Sequence, residues 1–139
     1  MSAMKYWHEY VRSSYDLVIE AEGKSKTYLS EDIESYLVRL LARWFDKPEI
    51  PPDTPIAILL MQAMQDKNNK QLVETADICL FYDGFKIKQR HWPSYNYYKD
   101  MGTMAYGMAY LNSKDDLYFR LETNFNTCSK ILSTIKVVS

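Results

Sequence analysis

The stretch SEDIESYLVRLLARWF, residues 30–45, decides the fold class. Ser30 is a residue type that caps helix starts, and Glu31, Asp32 and Glu34 favour the positive end of a helix dipole. Behind them Ile33, Tyr36, Leu37, Leu40, Leu41, Trp44 and Phe45 recur at three- and four-residue spacing. That period marks one face of an α-helix. Each such side chain, fully buried, contributes about 1.5–3 kcal/mol before chain entropy is set against it. A face this broad predicts a helix that enters a core.

The same period extends in both directions. Upstream, Met4, Trp7, Val11, Tyr15 and Val18 share a face, and Gly23 with the polar run Lys24–Thr27 predicts the end of that helix. Downstream, Pro48, Pro51 and Pro52 read as an extended connector. Thr54 and Pro55 then read as the N-cap and first helical position of a third helix, reaching about Gln65. From Asn69 the residues Leu72, Val73, Ala76, Ile78, Cys79, Leu80, Phe81 and Tyr82 leave little room for a polar face, which predicts a central helix stopping at Gly84. Lys86–Pro93 reads as a basic loop, and Ser94 as the cap of a fifth helix through about Leu111. Ser113 with Asp116 resembles a capping box opening a sixth helix, where Leu117, Leu121, Phe125, Cys128, Leu132 and Ile135 form a coiled-coil-like seam. The expectation is an all-α chain: about six helices in one domain over residues 1–139, with the fourth and fifth near the centre.

Composition supports this. Among 139 residues there are 12 Tyr, 5 Phe and 3 Trp but only 4 Gly and 5 Pro, too few turn formers for a strand-rich fold. The net charge of −1 lacks the basic surplus of a nucleic-acid binder. Charge is uneven, however: residues 1–66 hold 7 cationic and 11 acidic side chains, residues 67–139 hold 10 and 7. Charged residues interrupt the first helix, so no secretory leader is expected. The longest uncharged stretches fall short of the roughly 18–20 residues that span a bilayer. A protein of the cytoplasm is expected, with delivery into a host cell left open.

Chemistry-bearing constellations are sparse. His8 and His91 lack metal-ligand spacing, so no metal or cofactor is expected. Cys79 and Cys128 lie in apolar stretches and read as core residues, with a mutual disulfide as the alternative. Asp77 sits inside an apolar run, where an unpaired carboxylate is costly; it needs an Arg, Lys or Tyr partner, or it contacts a ligand. The basic segment Lys86, Lys88, Arg90, His91 and Trp92, followed by Tyr95, Tyr97 and Tyr98, is the best surface candidate. Arg, Trp and Tyr are preferred anchors of protein interfaces, and basic groups beside aromatics also hold anions. Met101, Met104, Met108 and Leu111 form a stripe on the fifth helix, expected to face the core.

Asp77, Leu80, Phe81, Gly84, Phe85, Tyr97, Tyr98, Met101, Gly102, Ala105 and Tyr106 form a pattern that resembles a group of small bacterial helical proteins of unassigned function. The segment Tyr36–Phe45 belongs to the same likeness. It implies an all-helical fold and no activity. The chain is also similar in style to small Legionella proteins that inhibit or escort larger effector enzymes, which implies a bacterial protein partner. The resulting expectation is a non-enzymatic regulatory protein binding through Lys86, Lys88, Arg90, His91, Trp92, Tyr95 and Tyr98. The alternative is a small-molecule or anion-binding module around Asp77 and neighbouring tyrosines. A homodimer through a helical face is a further option.

Overall fold

The computed structural model describes residues 3–46, 54–89, 94 and 96–135. Among these the chain is all helix, without a strand. The helices are α1 (Ala3–Ser25), α2 (Glu31–Asp46), α3 (Ile56–Gln65), α4 (Asn69–Phe85), α5 (Tyr97–Ser113), α6 (Asp116–Thr123) and α7 (Phe125–Thr134). The expected all-α class holds, with one helix more than expected.

The extra helix comes from a break in the sixth expected segment. Asn124 stands at φ −103°, ψ 12°, between α6 and α7. Its side-chain amide donates to the Arg120 carbonyl at 2.7 Å, competing with the backbone ladder at that point. The apolar seam survives the break: Leu121, Phe125, Cys128 and Leu132 are buried. The expected Ser113–Asp116 capping box does not form. Asp115 caps α6 by accepting from the Leu117 N–H at 3.0 Å, and the Ser113 hydroxyl turns back to the Ala109 carbonyl. At the start of α5, Ser94 does not cap; Asn96 occupies the cap position.

The centre is the α4–α5 pair, as the nearly unbroken apolar run of α4 demands. Glycines let the partners of α4 come close. A Cβ on Gly102 would lie 2.6 Å from a Phe125 ring carbon, and one on Gly84 would lie 2.6 Å from Leu132 Cβ. So α7 is pressed against both central helices. In α1 the inward residues are Ser14, Val18, Ala21 and Glu22, whereas Tyr15, expected on the buried face, is about half exposed. Val18 is buried and Val11 packs on the core, as expected, and α1 rests on α2 and α7.

Helix α3 packs on α4 and α5. The Ala57 N–H of α3 donates to the Tyr97 hydroxyl at the start of α5 at 2.8 Å, and near the end of α5 Asn112 donates to Asn69, the first residue of α4. Pro55 at the α3 cap position offers no side-chain acceptor, so Tyr97 satisfies a first-turn N–H that would otherwise be orphaned. Between α3 and α5 the expected core-facing stripe divides. Met101 and Met108 pack on the core, while Met104 and Leu111 are exposed.

Four helices are followed by a lysine in the left-handed region: Lys26 (φ 54°), Lys67 (φ 50°), Lys86 (φ 57°) and Lys114 (φ 60°). That conformation costs a residue with a Cβ about 1–2 kcal/mol. The cationic side chain at the negative helix end returns about 0.3–1 kcal/mol.

The α1–α2 turn is held by Glu22, which is buried and accepts from the Leu29 N–H at 2.8 Å. Glu34 shares a hydrogen bond with Glu22, and that bond requires a proton. The bond, then burial, then repulsion from Glu22 and Glu31 push the Glu34 carboxyl up to about 7. A folded-state pKa above the unfolded value contributes stability that is complete below the ordinary carboxyl range and lost as pH rises through about 7. The melting temperature of the wild type relative to Glu34→Gln should therefore fall between about pH 5 and about pH 7. A pH-independent difference in thermal melts would remove the shared proton from the account.

Candidate functional site

Two clefts flank α4, and their charges are opposite. Asp77 lies at the first, between α2 and α4. It is 5% exposed, and its carboxylate takes three donors: the Tyr36 hydroxyl at 2.6 Å, the Tyr106 hydroxyl at 2.7 Å and the Arg43 guanidinium at 3.1 Å. Tyr36 and Arg43 are seven residues apart, so both project from one face of α2. Tyr106 reaches the same carboxylate from α5. Burial pushes the Asp77 carboxyl up, against the pull of these donors. Burial and the adjacent Asp77 charge push both phenols up as well, keeping the hydroxyls protonated and donating. The sequence-level need for an Arg or Tyr partner is met by both kinds at once. The first and last residues of the resemblance pattern, Asp77 and Tyr106, thus touch.

The cleft beside this network measures about 380 Å³ and is lined by Leu40, Arg43, Trp44, Asp46, Glu74, Asp77, Ile78 and Phe81. Trp44 and Phe81 both line it and pack directly on each other, with ring centroids 4.8 Å apart.

The second cleft, about 420 Å³, opens where α4 ends, α5 begins and α7 crosses. Lys86, Lys88, Lys99 and Lys130 line it, with Asp83, Asn96, Asn126 and Ser133 among their neighbours. The lone carboxylate, Asp83, accepts from the Ser129 hydroxyl at 2.6 Å. Four of the ten cationic residues in 67–139 thus meet at one place. Sequence reasoning found Lys86 and Lys88 but missed Lys99 and Lys130. Their helical positions, one on α5 and one on α7, give no local sign that the chain folds them together.

Tyr98 belongs to this cleft in a different way from the expected one. It is 3% exposed, packs edge-on against Tyr82 and Tyr97, and its hydroxyl accepts from the Gln89 N–H at 2.6 Å. Starting α5 at Tyr97 turns both rings inward, so Tyr98 anchors the preceding segment instead of projecting as an interface anchor. Arg90, His91, Trp92 and Tyr95 lie outside the described residues.

Both thiols are free and buried. Burial pushes Cys79 well above its ordinary value, helped by Asp83 and Asp77, and pushes Cys128 up to about 12. Neither is a thiolate at neutral pH, so neither is an activated nucleophile. Among the described residues no group of three His, Cys, Asp or Glu side chains is placed to hold a metal ion, and no helix is long and apolar enough to cross a membrane. No protein-family model, curated protein or solved structure matches the chain.

Proposed function

We propose that this protein is a non-enzymatic regulatory module that binds an acidic surface of another protein through its lysine-lined cleft. The observation that carries the reading is the convergence of Lys86, Lys88, Lys99 and Lys130 from three parts of the chain on one cleft whose single carboxylate is already hydrogen-bonded. Complementary charge of this kind accelerates encounter and selects partners. The chain continues from Lys88 directly into Arg90, His91 and Trp92, residue types that anchor interfaces. Inert, buried thiols fit a binding role better than a nucleophilic one. The resemblance adds the kind of partner: a larger bacterial effector enzyme that the protein inhibits or escorts.

The test uses charge reversal. Lys99→Glu with Lys130→Glu should weaken capture of an acidic partner by about tenfold, with a shallower salt dependence, because interface charges act mainly through association. An acidic Glu-rich peptide and pyrophosphate, each titrated with NMR detection, separate a protein surface from a small anion. Peptide binding that the double variant leaves unchanged would remove the cleft from the interface.

A further inference from the structure

We propose that the α2–α4 cleft is a second binding site, specific for a small organic cation bearing an alkylammonium group. It is separate from the lysine-lined cleft and does not depend on how that one is used. Its walls are two helical stripes. Leu40, Arg43 and Trp44 come from successive turns of α2, and Glu74, Asp77, Ile78 and Phe81 from successive turns of α4. Facing stripes at this spacing ordinarily interlock, ridge into groove. Here α2 meets α4 chiefly through long side chains, and the seam stays open by about 380 Å³, a volume in the range of small-molecule sites.

The chemistry of the opening selects its ligand. Arg43 is neutralised by Asp77 through Oδ2, while Oδ1 of the same carboxylate accepts from Tyr36 and Tyr106. That leaves Asp46 and Glu74 as the surplus charge, and neither has a hydrogen-bond or ion-pair partner among the described residues. Beside them Trp44, half-buried and stacked on Phe81, lines the opening, and an indole face attracts cations. An indole with two uncommitted carboxylates at the rim and a hydrogen-bonded floor suits an ammonium on a short apolar stem. It does not suit an anion, so the sequence-level alternative of an anion site around Asp77 takes the opposite sign. Both carboxylate oxygens of Asp77 are hydrogen-bonded within the floor.

The test is a titration of the full chain with choline and with its uncharged carbon isostere, 3,3-dimethylbutan-1-ol, followed by the NMR signal of the Trp44 indole N–H and the amides of α2 and α4. Choline should give saturable shifts confined to these helices. The alcohol should bind at least about fivefold more weakly, the difference set by the cation–aromatic and carboxylate attraction. Asp46→Asn with Glu74→Gln, both exposed positions whose replacement leaves the core untouched, should reduce choline affinity by a similar factor. Equal shifts with the alcohol, or choline binding unaltered in the double variant, would overturn the proposal. So would shifts centred on Lys99 and Lys130. Capped Ala-Lys-Ala peptide tests the source of the ammonium: binding tighter than choline would assign the site to a protein side chain and overturn the small-molecule reading.

Discussion

Asp77→Ala should lower stability by about 3 kcal/mol and the melting temperature by roughly 10 °C. The cost arises from what remains. Tyr106 is fully buried and Tyr36 largely so, and each hydroxyl would lose its acceptor. An unsatisfied buried donor costs about 1–3 kcal/mol. Arg43 contributes less, because its side chain is half exposed and can turn to water. Tyr106→Phe is the graded companion: it removes one donor and leaves the carboxylate with Tyr36 and Arg43, for about 1 kcal/mol. Asp77→Asn keeps an acceptor oxygen and should fall between the two. Chemical denaturation measures all three, and an Asp77→Ala loss below about 1 kcal/mol would show that the network is not a structural keystone.

Gly102→Ala should also destabilise, by about 2 kcal/mol, although alanine is the better helix former. The added methyl would lie 2.6 Å from Phe125 Cε2 and 2.8 Å from Cys79 Cβ. Neither can yield cheaply. Phe125 is 1% exposed and packs on Tyr106, and Cys79 belongs to the central helix. Overpacking therefore outweighs the gain of up to about 1 kcal/mol in helix propensity. Gly23 provides the internal control. It lies within α1 with nothing near the position of a Cβ, so Gly23→Ala should stabilise by about 0.5–1 kcal/mol. Opposite signs at two helical glycines separate packing from propensity. Stabilisation at both positions would mean that α5 and α7 can move apart without penalty.

What could be read from the sequence was set by period and burial. The stripe from Ile33 to Phe45 marked α2, the dense run from Leu72 to Tyr82 marked the central helix, and the seam from Leu117 to Ile135 predicted a buried face that persists through a change of helix. Asp77 was recognisable because a carboxylate in such a run must be answered. The answer came from residues 41 and 29 positions away, which no local pattern specifies. The two clefts were illegible for a related reason. They are properties of the distance between helices, and Lys99 or Glu74 looks like any other exposed charge until its neighbours from another helix are in place. The break at Asn124 was missed because the apolar period continues across it, while the event that stops the helix is a single side chain bonding back to its own backbone. The burial of Tyr98 was not legible because its position in the chain, beside a basic segment, says nothing of which way its ring turns.

The lysines at the helix ends carry a consequence for how this chain can change over time. Glycine is the residue that favours the left-handed conformation, yet none of the glycines among the described residues occupies it. Lys26, Lys67, Lys86 and Lys114 each stand one substitution from a more relaxed backbone, at exposed positions where nothing in the core would need to adjust. Natural domains sit a short way above the stability they need, and compensating changes of this kind are how they stay there. Lys86 lines the lysine-rich cleft, but Lys26, Lys67 and Lys114 lie outside both clefts, so a damaging substitution in either lining can be offset at one of these three helix ends without touching the altered surface. The lining of either cleft is thus free to evolve separately from the core.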